Sequence, residues 1–374
     1  MRIGVNALLL GSQSGYRRSG VSRYIDRLVR ALPAALNGDD TLTVFVGRDA
    51  EASHGPRIGY RRSWWPVERP EARLPWEHLA LPLETRRAKI DLFHGTVNVV
   101  PRGLRCHSVV TVHDLAFLRW PDQVTRRRHR YLAGELRGSL GRARRIIAVS
   151  EATKADLVEM LGVDPSRVAV TPLGVDERFR PVEGDAWEEF REARGIVRPF
   201  VLSVGTLEPR KNLPALLRAF ATLTREIPHD LVLVGGEGWL TEEIHHTMQT
   251  PKLAGRVRLT GFVEDDDLPA WYGAADCFAF PSLYEGFGLP VLEAMASGVP
   301  VVTSNLSSLP EVAGDAALLV DPDDVKAIAD GIRLVVTDSA FAATLRRAGT
   351  ERAAEFTWER TAALTATVYR EVAG

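Results

Sequence analysis

Short runs of apolar, often β-branched residues punctuate the chain at 3–10, 42–46, 108–112 and 146–149, then again at 200–204, 231–234, 257–259, 277–280 and 299–303. Turn residues and a helical pattern follow each run. Apolar positions that are continuous along a strand mean burial on both faces, the mark of a parallel sheet covered by helices. The pattern occurs twice, which predicts an α/β protein built of two doubly wound Rossmann-like domains. Residues 172–198 hold PLGVDERFRP and then an acidic helical segment, ahead of the strand FVLSV. The expected division is therefore 1–180 and 181–355, with hinge motion about 172–198. The tail 356–374, with TWERTAALTATVYREV, reads as a helix with no strand after it. Ligands of open parallel sheets bind beyond the carboxyl ends of the strands. Two such sheets facing one another would place the site in an interdomain cleft.

At 374 residues there is enough chain for two domains at about 100–200 residues each. With 45% hydrophobic and 25% charged residues, disorder, collagen and a disulfide scaffold are all excluded. The two cysteines, Cys106 and Cys277, are far apart in apolar surroundings, as expected of reduced intracellular thiols. The opening MRIGVNALLLGSQSG does not read as a signal peptide, and no window approaches 18 apolar residues, so a cytoplasmic location is expected. Net charge is −1, yet residues 1–180 carry 30 basic and 19 acidic side chains and the remainder 17 and 29, or +11 against −12. A basic half suits nucleic acid, an anionic membrane or a charged substrate, or is simply a set of solvated helix faces. No RRM, zinc-finger or helix-turn-helix signature accompanies it, and no nucleic-acid partner is expected.

The stretch AFPSLYEGFGLPVLEAMASGVPVV carries the most chemistry. A strand ends near Pro281, a loop holds Glu285, Gly286 and Gly288, and Pro290 suits the first turn of a helix that stops at Gly298. Glu285 and Glu293 should overhang the site, and carboxylates accept hydrogen bonds from hydroxyls while repelling phosphate, a pairing suited to sugar rings. In VGTLEPRKN, Arg210 and Lys211 follow a strand in a loop with Gly205 and Thr206, where two cations and backbone N–H groups can hold a diphosphate without a metal. In the first half, the loop GSQSGYRRSGVSR contains Gly15 and Gly20 and could approach a phosphate, though it also reads as a flexible turn. His113 and Asp114 follow the strand VVTV, where the histidine could donate a hydrogen bond to a sugar hydroxyl or serve only as a packed group.

EGFGLPVLEA resembles the E-x7-E signature of retaining GT-B glycosyltransferases, and GTLEPRKNL resembles the Arg-Lys diphosphate loop of family 4 among them. FHGTVNVVP, TVHDLAFLRWP, IIAVSEATK, LVLVGGEG and SSLPEVAGDAALLVDP are similar to further segments of that family in the same order, so the resemblance spans nearly the whole chain. It implies a GT-B fold whose terminal helix returns to the first domain, an acceptor-binding domain over 1–180 and a nucleotide-sugar domain over 181–355. Glu285 would then contact donor sugar hydroxyls beside Gly286, Phe287, Gly288 and Leu289, and Glu293 would hold the ribose. Arg210 and Lys211 match the diphosphate clamp, His113 the histidine near the reacting sugar, and Phe262 with Val263 the segment lining the base. Some branches carry an arginine where this chain has Thr206.

The implied enzyme is a retaining hexosyltransferase with an oxocarbenium-like transition state, stabilised by leaving-group electrostatics. The wording of VHDLAFLRWP and GTLEPRKNL is most like members that use GDP-mannose; UDP-glucose or UDP-N-acetylglucosamine is the alternative donor. A glycan or lipid-linked glycan is the expected acceptor. The basic cluster 126–130, with His129 inside it, and Arg61 and Arg62 beside Trp64 and Trp65 could lie on the inner face of the plasma membrane. Asp265 with Asp267, and Asp321 with Asp323, could form a metal-binding DxD, but they sit where helix caps are expected, and metal independence is predicted. The glycines of LVLVGGEGW do not complete the GxGxxG of a dehydrogenase. A non-catalytic nucleotide-sugar sensor of the same fold would lack the carboxylates or the cations.

Overall fold

In the computed structural model, which describes residues 1–10, 20–48, 50, 57–67, 70–123, 125–181 and 186–374, the apolar runs become strands of two parallel sheets. The first sheet holds β1 (Arg2–Ala7), β2 (Thr41–Val46), β3 (Ile58–Arg62), β4 (Leu92–Gly95), β5 (His107–Val112), β6 (Arg145–Ala148) and β7 (Val168–Val170), in the order β3-β2-β1-β4-β5-β6-β7. The second holds β8 (Phe200–Val204), β9 (Asp230–Val234), β10 (Val257–Gly261), β11 (Cys277–Phe280), β12 (Val301–Ser304) and β13 (Leu318–Val320), in the order β10-β9-β8-β11-β12-β13. Every neighbouring pair is parallel, with Val5 opposite both Val44 and His94, and Leu202 opposite both Val232 and Phe278. Both sheets reverse their order once, between β1 and β4 and between β8 and β11, which makes each doubly wound.

The chain divides into two compact units, residues 1–174 with 357–374 and residues 175–356. In the first, the helix Gly20–Ala35 turns Tyr24, Ile25, Leu28, Val29 and Leu32 inward, a stripe at helical spacing. The terminal helix Trp358–Ala373 packs against it and buries Ala362, Ala366, Tyr369 and Val372. In the second, Leu216, Phe220, Leu231, Leu233, Cys277, Ile328 and Ile332 form the core between sheet and helices. Residues 175–180 belong to this second unit, where Phe179 meets Tyr272 edge-on at 5.6 Å and Arg178 pairs with Asp266 at 3.2 Å.

The run at 3–10 is strand only to Ala7; Leu10 N–H then closes a turn on the Ala7 carbonyl at 2.9 Å. Four strands lie outside the apolar runs. β3 (IGYRR), β7 (VAV) and β13 (LLV) are edge strands, short or open to water on one face, and β4 (LFHG) has four residues.

Candidate functional site

Where a doubly wound sheet reverses, the loops leaving the two adjacent strands diverge to opposite faces and open a crevice at the strand ends. In the second unit those loops are 205–212, after β8, and 281–288, after β11. They carry Arg210 and Lys211 on one side and Glu285 on the other. Two residues far apart in sequence are thus brought together by strand order alone.

Lys211 Nζ donates to Glu285 Oε1 at 2.5 Å, and Arg210 Nη1 donates to Glu285 Oε2 at 2.9 Å. Arg210 is shared: its Nε lies 2.5 Å from the Glu208 carboxylate. Both Lys211 and Glu285 are 7% exposed, and Lys211 Nζ stands over the Phe280 ring, 5.0 Å from its centroid. Ser282 Oγ adds a hydrogen bond to Glu285 Oε1 at 2.8 Å, and the loop is tied down where Ser307 and Ser308 donate to the Glu285 carbonyl at 2.6 and 2.9 Å. Leu283 N–H bonds the Arg210 carbonyl at 2.8 Å, so each loop holds the other.

Burial pushes the Glu285 carboxyl upward, but Arg210, Lys211 and the bonds from Lys211 and Ser282 outweigh it and hold it at about 2. Burial lowers Lys211, as does Arg210, while Glu285 and Glu208 partly restore it. Glu208 is raised by burial against the pull of Arg210 and Lys211. The result is a water-poor knot of two cations and two carboxylates, with charges whose partners a diphosphate could replace.

Gly288 has φ of +116°, and a Cβ there would lie 2.8 Å from the Leu309 side chain, so glycine is required where the chain enters the helix Leu289–Ala296. Phe287 is buried and packs edge-on against Phe356 at 5.9 Å, leaving its backbone beside Glu285. Glu293 sits one turn inside that helix at 3% exposure, its Oε2 accepting from the Tyr272 hydroxyl at 2.9 Å. Rather than overhanging open space, both carboxylates are enclosed. Thr206 and the backbone of Gly205 follow β8 directly, with Gly205 N–H bonded to the Val234 carbonyl at 2.9 Å. Phe262 and Val263 follow β10, half-buried, at the far edge of the same sheet end.

In the first unit His113 and Asp114 follow β5. His113 Nε2 lies 2.9 Å from the Thr96 carbonyl, and since a carbonyl only accepts, that nitrogen carries the hydrogen. Burial lowers the pKa of the ring, so it is neutral and its second nitrogen is an acceptor. This corrects the expectation that the histidine donates to a sugar hydroxyl, because its N–H is already committed. Asp114 Oδ1 accepts from Ala116 N–H at 3.1 Å, a local turn contact. Gly20 is the exposed first residue of its helix, and Gly15 lies outside the described residues.

Asp267, read as a cap, makes no side-chain cap bond; it pairs with Arg194 at 2.7 Å. Asp265 faces Arg178 at 3.6 Å, and Asp321 accepts from Asp323 N–H at 2.9 Å in a turn. Among the described residues no group of three or more His, Cys, Asp or Glu could hold a metal ion. Arg126, Arg127 and Arg130 are exposed on the helix Arg126–Arg142. Arg61 pairs with Glu84 at 3.1 Å and Arg62 donates to the Arg48 carbonyl at 3.3 Å, while Trp64 and Trp65 are 63% and 39% exposed. Among the described residues no helix is long and apolar enough to cross a membrane.

Sequence reasoning missed Glu208, Ser282, Ser307, Ser308 and Tyr272. Ser282 and Glu208 stand within a few residues of Glu285 and Arg210, a hint available in the sequence; the other three reach the site only through the fold.

Residues 188–352 match the family described as Glycosyl transferases group 1, and residues 18–179 match Glycosyltransferase Family 4. O-antigen chain mannosyltransferase B of Escherichia coli is 32% identical over 372 residues, covering 95% of this chain and 97% of that protein. Sucrose-phosphate synthase from Thermosynechococcus elongatus superposes with a TM-score of 0.80 at 24% identity, covering 99% of this chain and 98% of the other. The Anabaena protein HepE, solved with UDP and glucose, superposes with a TM-score of 0.77 at 20% identity, covering 99% and 100%. The fold is GT-B, with Rossmann-like units of seven and six parallel strands.

Proposed function

Because this chain belongs to glycosyltransferase family 4, we propose that it transfers mannose from GDP-mannose to a glycan or lipid-linked glycan acceptor, with retention at the anomeric carbon. One observation carries the reading: the two cations of the β8 loop meet the carboxylate of the β11 loop at the point where the sheet reverses. The 32%-identical mannosyltransferase supports the choice of sugar.

In this reading the planar guanidinium of Arg210 and the compact ammonium of Lys211 take the donor diphosphate in place of Glu285. Glu285, released from part of that pairing, accepts hydroxyl hydrogens of the sugar and holds the cations in register. Glu293, fixed by Tyr272, takes the ribose hydroxyls; Phe262 and Val263 line the base; Gly205, Thr206 and the Gly286–Phe287–Gly288–Leu289 backbone approach the phosphates and sugar. His113 stands near the reacting sugar, and Gly15, Gly20 and Asp114 serve the acceptor and phosphate side of the reaction. The bond from C1 to the diphosphate oxygen breaks with its electrons going to that oxygen. The acceptor hydroxyl then bonds to C1 on the same face and passes its proton to the departing phosphate. The charge that builds on the leaving group is met by Arg210 and Lys211, so turnover persists in chelator.

A peripheral contact with anionic lipid on the cytoplasmic side is the companion proposal, supported by the exposed Trp64 and Trp65 and by the exposed arginines of 126–130.

The test is nucleotide release from GDP-mannose, UDP-glucose, UDP-N-acetylglucosamine and UDP-galactose in EDTA. Slow hydrolysis of GDP-mannose alone supports the proposal, and a UDP-sugar as the hydrolysed donor replaces the sugar and base while keeping the transferase. Silence with all four, and no thermal shift by GDP or UDP, overturns it.

A further inference from the structure

Two contacts in the first unit meet the His113 imidazole. The Thr96 carbonyl takes its Nε2–H at 2.9 Å. The ring of Tyr24, itself 1% exposed, stands edge-on to the imidazole with centroids 4.7 Å apart and planes at 78°. Tyr24 is in turn anchored, because its hydroxyl lies 2.9 Å from Thr111 Oγ1, two residues before His113 on β5. Thr111 Oγ1 also lies 2.7 Å from His94 Nε2, and His94 Nδ1 lies 2.7 Å from the Tyr369 hydroxyl in the terminal helix. A buried chain of three hydrogen bonds thus runs from the last helix to the residue that walls the imidazole.

We propose that Tyr24 is a positioning residue for the transfer reaction, fixing His113 so that Nδ1 is offered to a substrate hydroxyl as a hydrogen-bond acceptor. The inference rests on the reading of His113 as a residue near the reacting sugar. With Nε2–H spent on Thr96, the ring has one remaining nitrogen, and among the described residues nothing else bonds it. Rotation of the imidazole would break the Thr96 bond, and the Tyr24 ring closes one side against such rotation. The same ring keeps water from that side, which favours the neutral form. The titratable groups that act on the imidazole are Asp114, which favours its charged form, and His94, which is buried and held neutral. A neutral ring accepts a hydroxyl hydrogen at Nδ1; a protonated ring has no lone pair left to accept it.

The test compares the wild type with Tyr24→Leu, which removes the wall, and Tyr24→Phe, which keeps the ring but cuts its anchor to Thr111. Long-range nitrogen–proton correlation spectra across pH, with His113→Gln to assign the signal, report tautomer and titration directly. The wild type is expected to show the Nε2–H tautomer alone at every pH above its titration midpoint. Tyr24→Leu should show mixed tautomers, a titration midpoint moved to higher pH, an acid limb of the kcat profile moved the same way, and kcat lower by on the order of tenfold. Tyr24→Phe should move both midpoints in the same direction by less, and it decides alone if Tyr24→Leu does not fold. Unmoved tautomer, titration and pH profile in the folded variants overturn the proposal, whatever stability they lose. Full transfer by His113→Gln would instead remove the reading of His113 as a sugar contact, and the spectra would still decide what Tyr24 does to the ring.

Discussion

Lys211 and Glu285, 74 positions apart in the chain, are joined by a 2.5 Å bond from Nζ to Oε1 with both side chains buried. An ammonium and a carboxylate withdrawn from water need each other, and each also has a second partner: the Phe280 ring face for Lys211, Arg210 for Glu285. The paired charges fix the two loops at the strand ends, and a diphosphate bound there would have to take the cations over from Glu285.

Glu285→Gln keeps the shape of the side chain and removes its charge. Lys211 and Arg210 are then left with less compensation in a buried setting, and unfolding should become easier by about 3–5 kcal/mol. Turnover should fall at least about a hundredfold. Chemical denaturation and nucleotide release on the same preparation measure both, and a folded variant with near-normal transfer would remove Glu285 from the site.

Acid sensitivity follows from the same residue. The folded-state pKa of Glu285 is held at about 2, below its ordinary value, so the folded state binds its proton later than the unfolded state. The stabilisation is complete above the ordinary carboxylate range and is lost as pH falls toward 2. Glu208 and Glu77, raised chiefly by burial, slope in the opposite sense. Denaturant midpoints measured from pH 5 downward should therefore fall more steeply for the wild type than for Glu285→Gln; parallel curves would contradict the assigned ion pairs.

Much of this was legible in the sequence, and the rest was hidden for physical reasons. Strands buried on both faces, such as β8 and β11, announce themselves as unbroken apolar runs. Edge strands such as β3, where Tyr60, Arg61 and Arg62 face partly into water, carry no such signal. Glu285, Arg210 and Lys211 stand out because carboxylates and cations among glycines at strand ends have few structural uses. The roles of Ser307 and Ser308 depend on which backbone carbonyl their loop meets, and spacing along the chain does not encode that. The same holds for His113, whose acceptor nitrogen is decided by the Thr96 carbonyl.

The terminal helix is tied to the first sheet by a buried polar contact. Tyr369→Phe removes the hydroxyl that pairs with His94 Nδ1 and should cost about 1–3 kcal/mol, with the fold intact. Burial holds His94 at about 3, far under its ordinary value, so the unfolded state takes its proton first and stability declines as pH falls from about 6.5 toward 3. Urea unfolding of Tyr369→Phe at neutral pH tests the contact, and an unchanged midpoint would show that it contributes nothing.

The lipid contact makes an ionic prediction. Binding to vesicles containing phosphatidylserine should be strong at low salt, weaken steeply by about 0.2 M, and fall when Trp64 and Trp65 are both changed to Ser. Absence of binding at low salt would dispose of the membrane proposal without touching the transfer reaction.

The central claim is that Arg210 and Lys211 hold the diphosphate of the donor, and calorimetric titration of GDP and of guanosine into the wild type and Lys211→Ala tests it most directly. The account predicts that the substitution weakens GDP by at least about tenfold, the order of one lost charge-assisted contact, and leaves guanosine unchanged. Equal affinity of wild type and variant for GDP, with the variant folded, would contradict it.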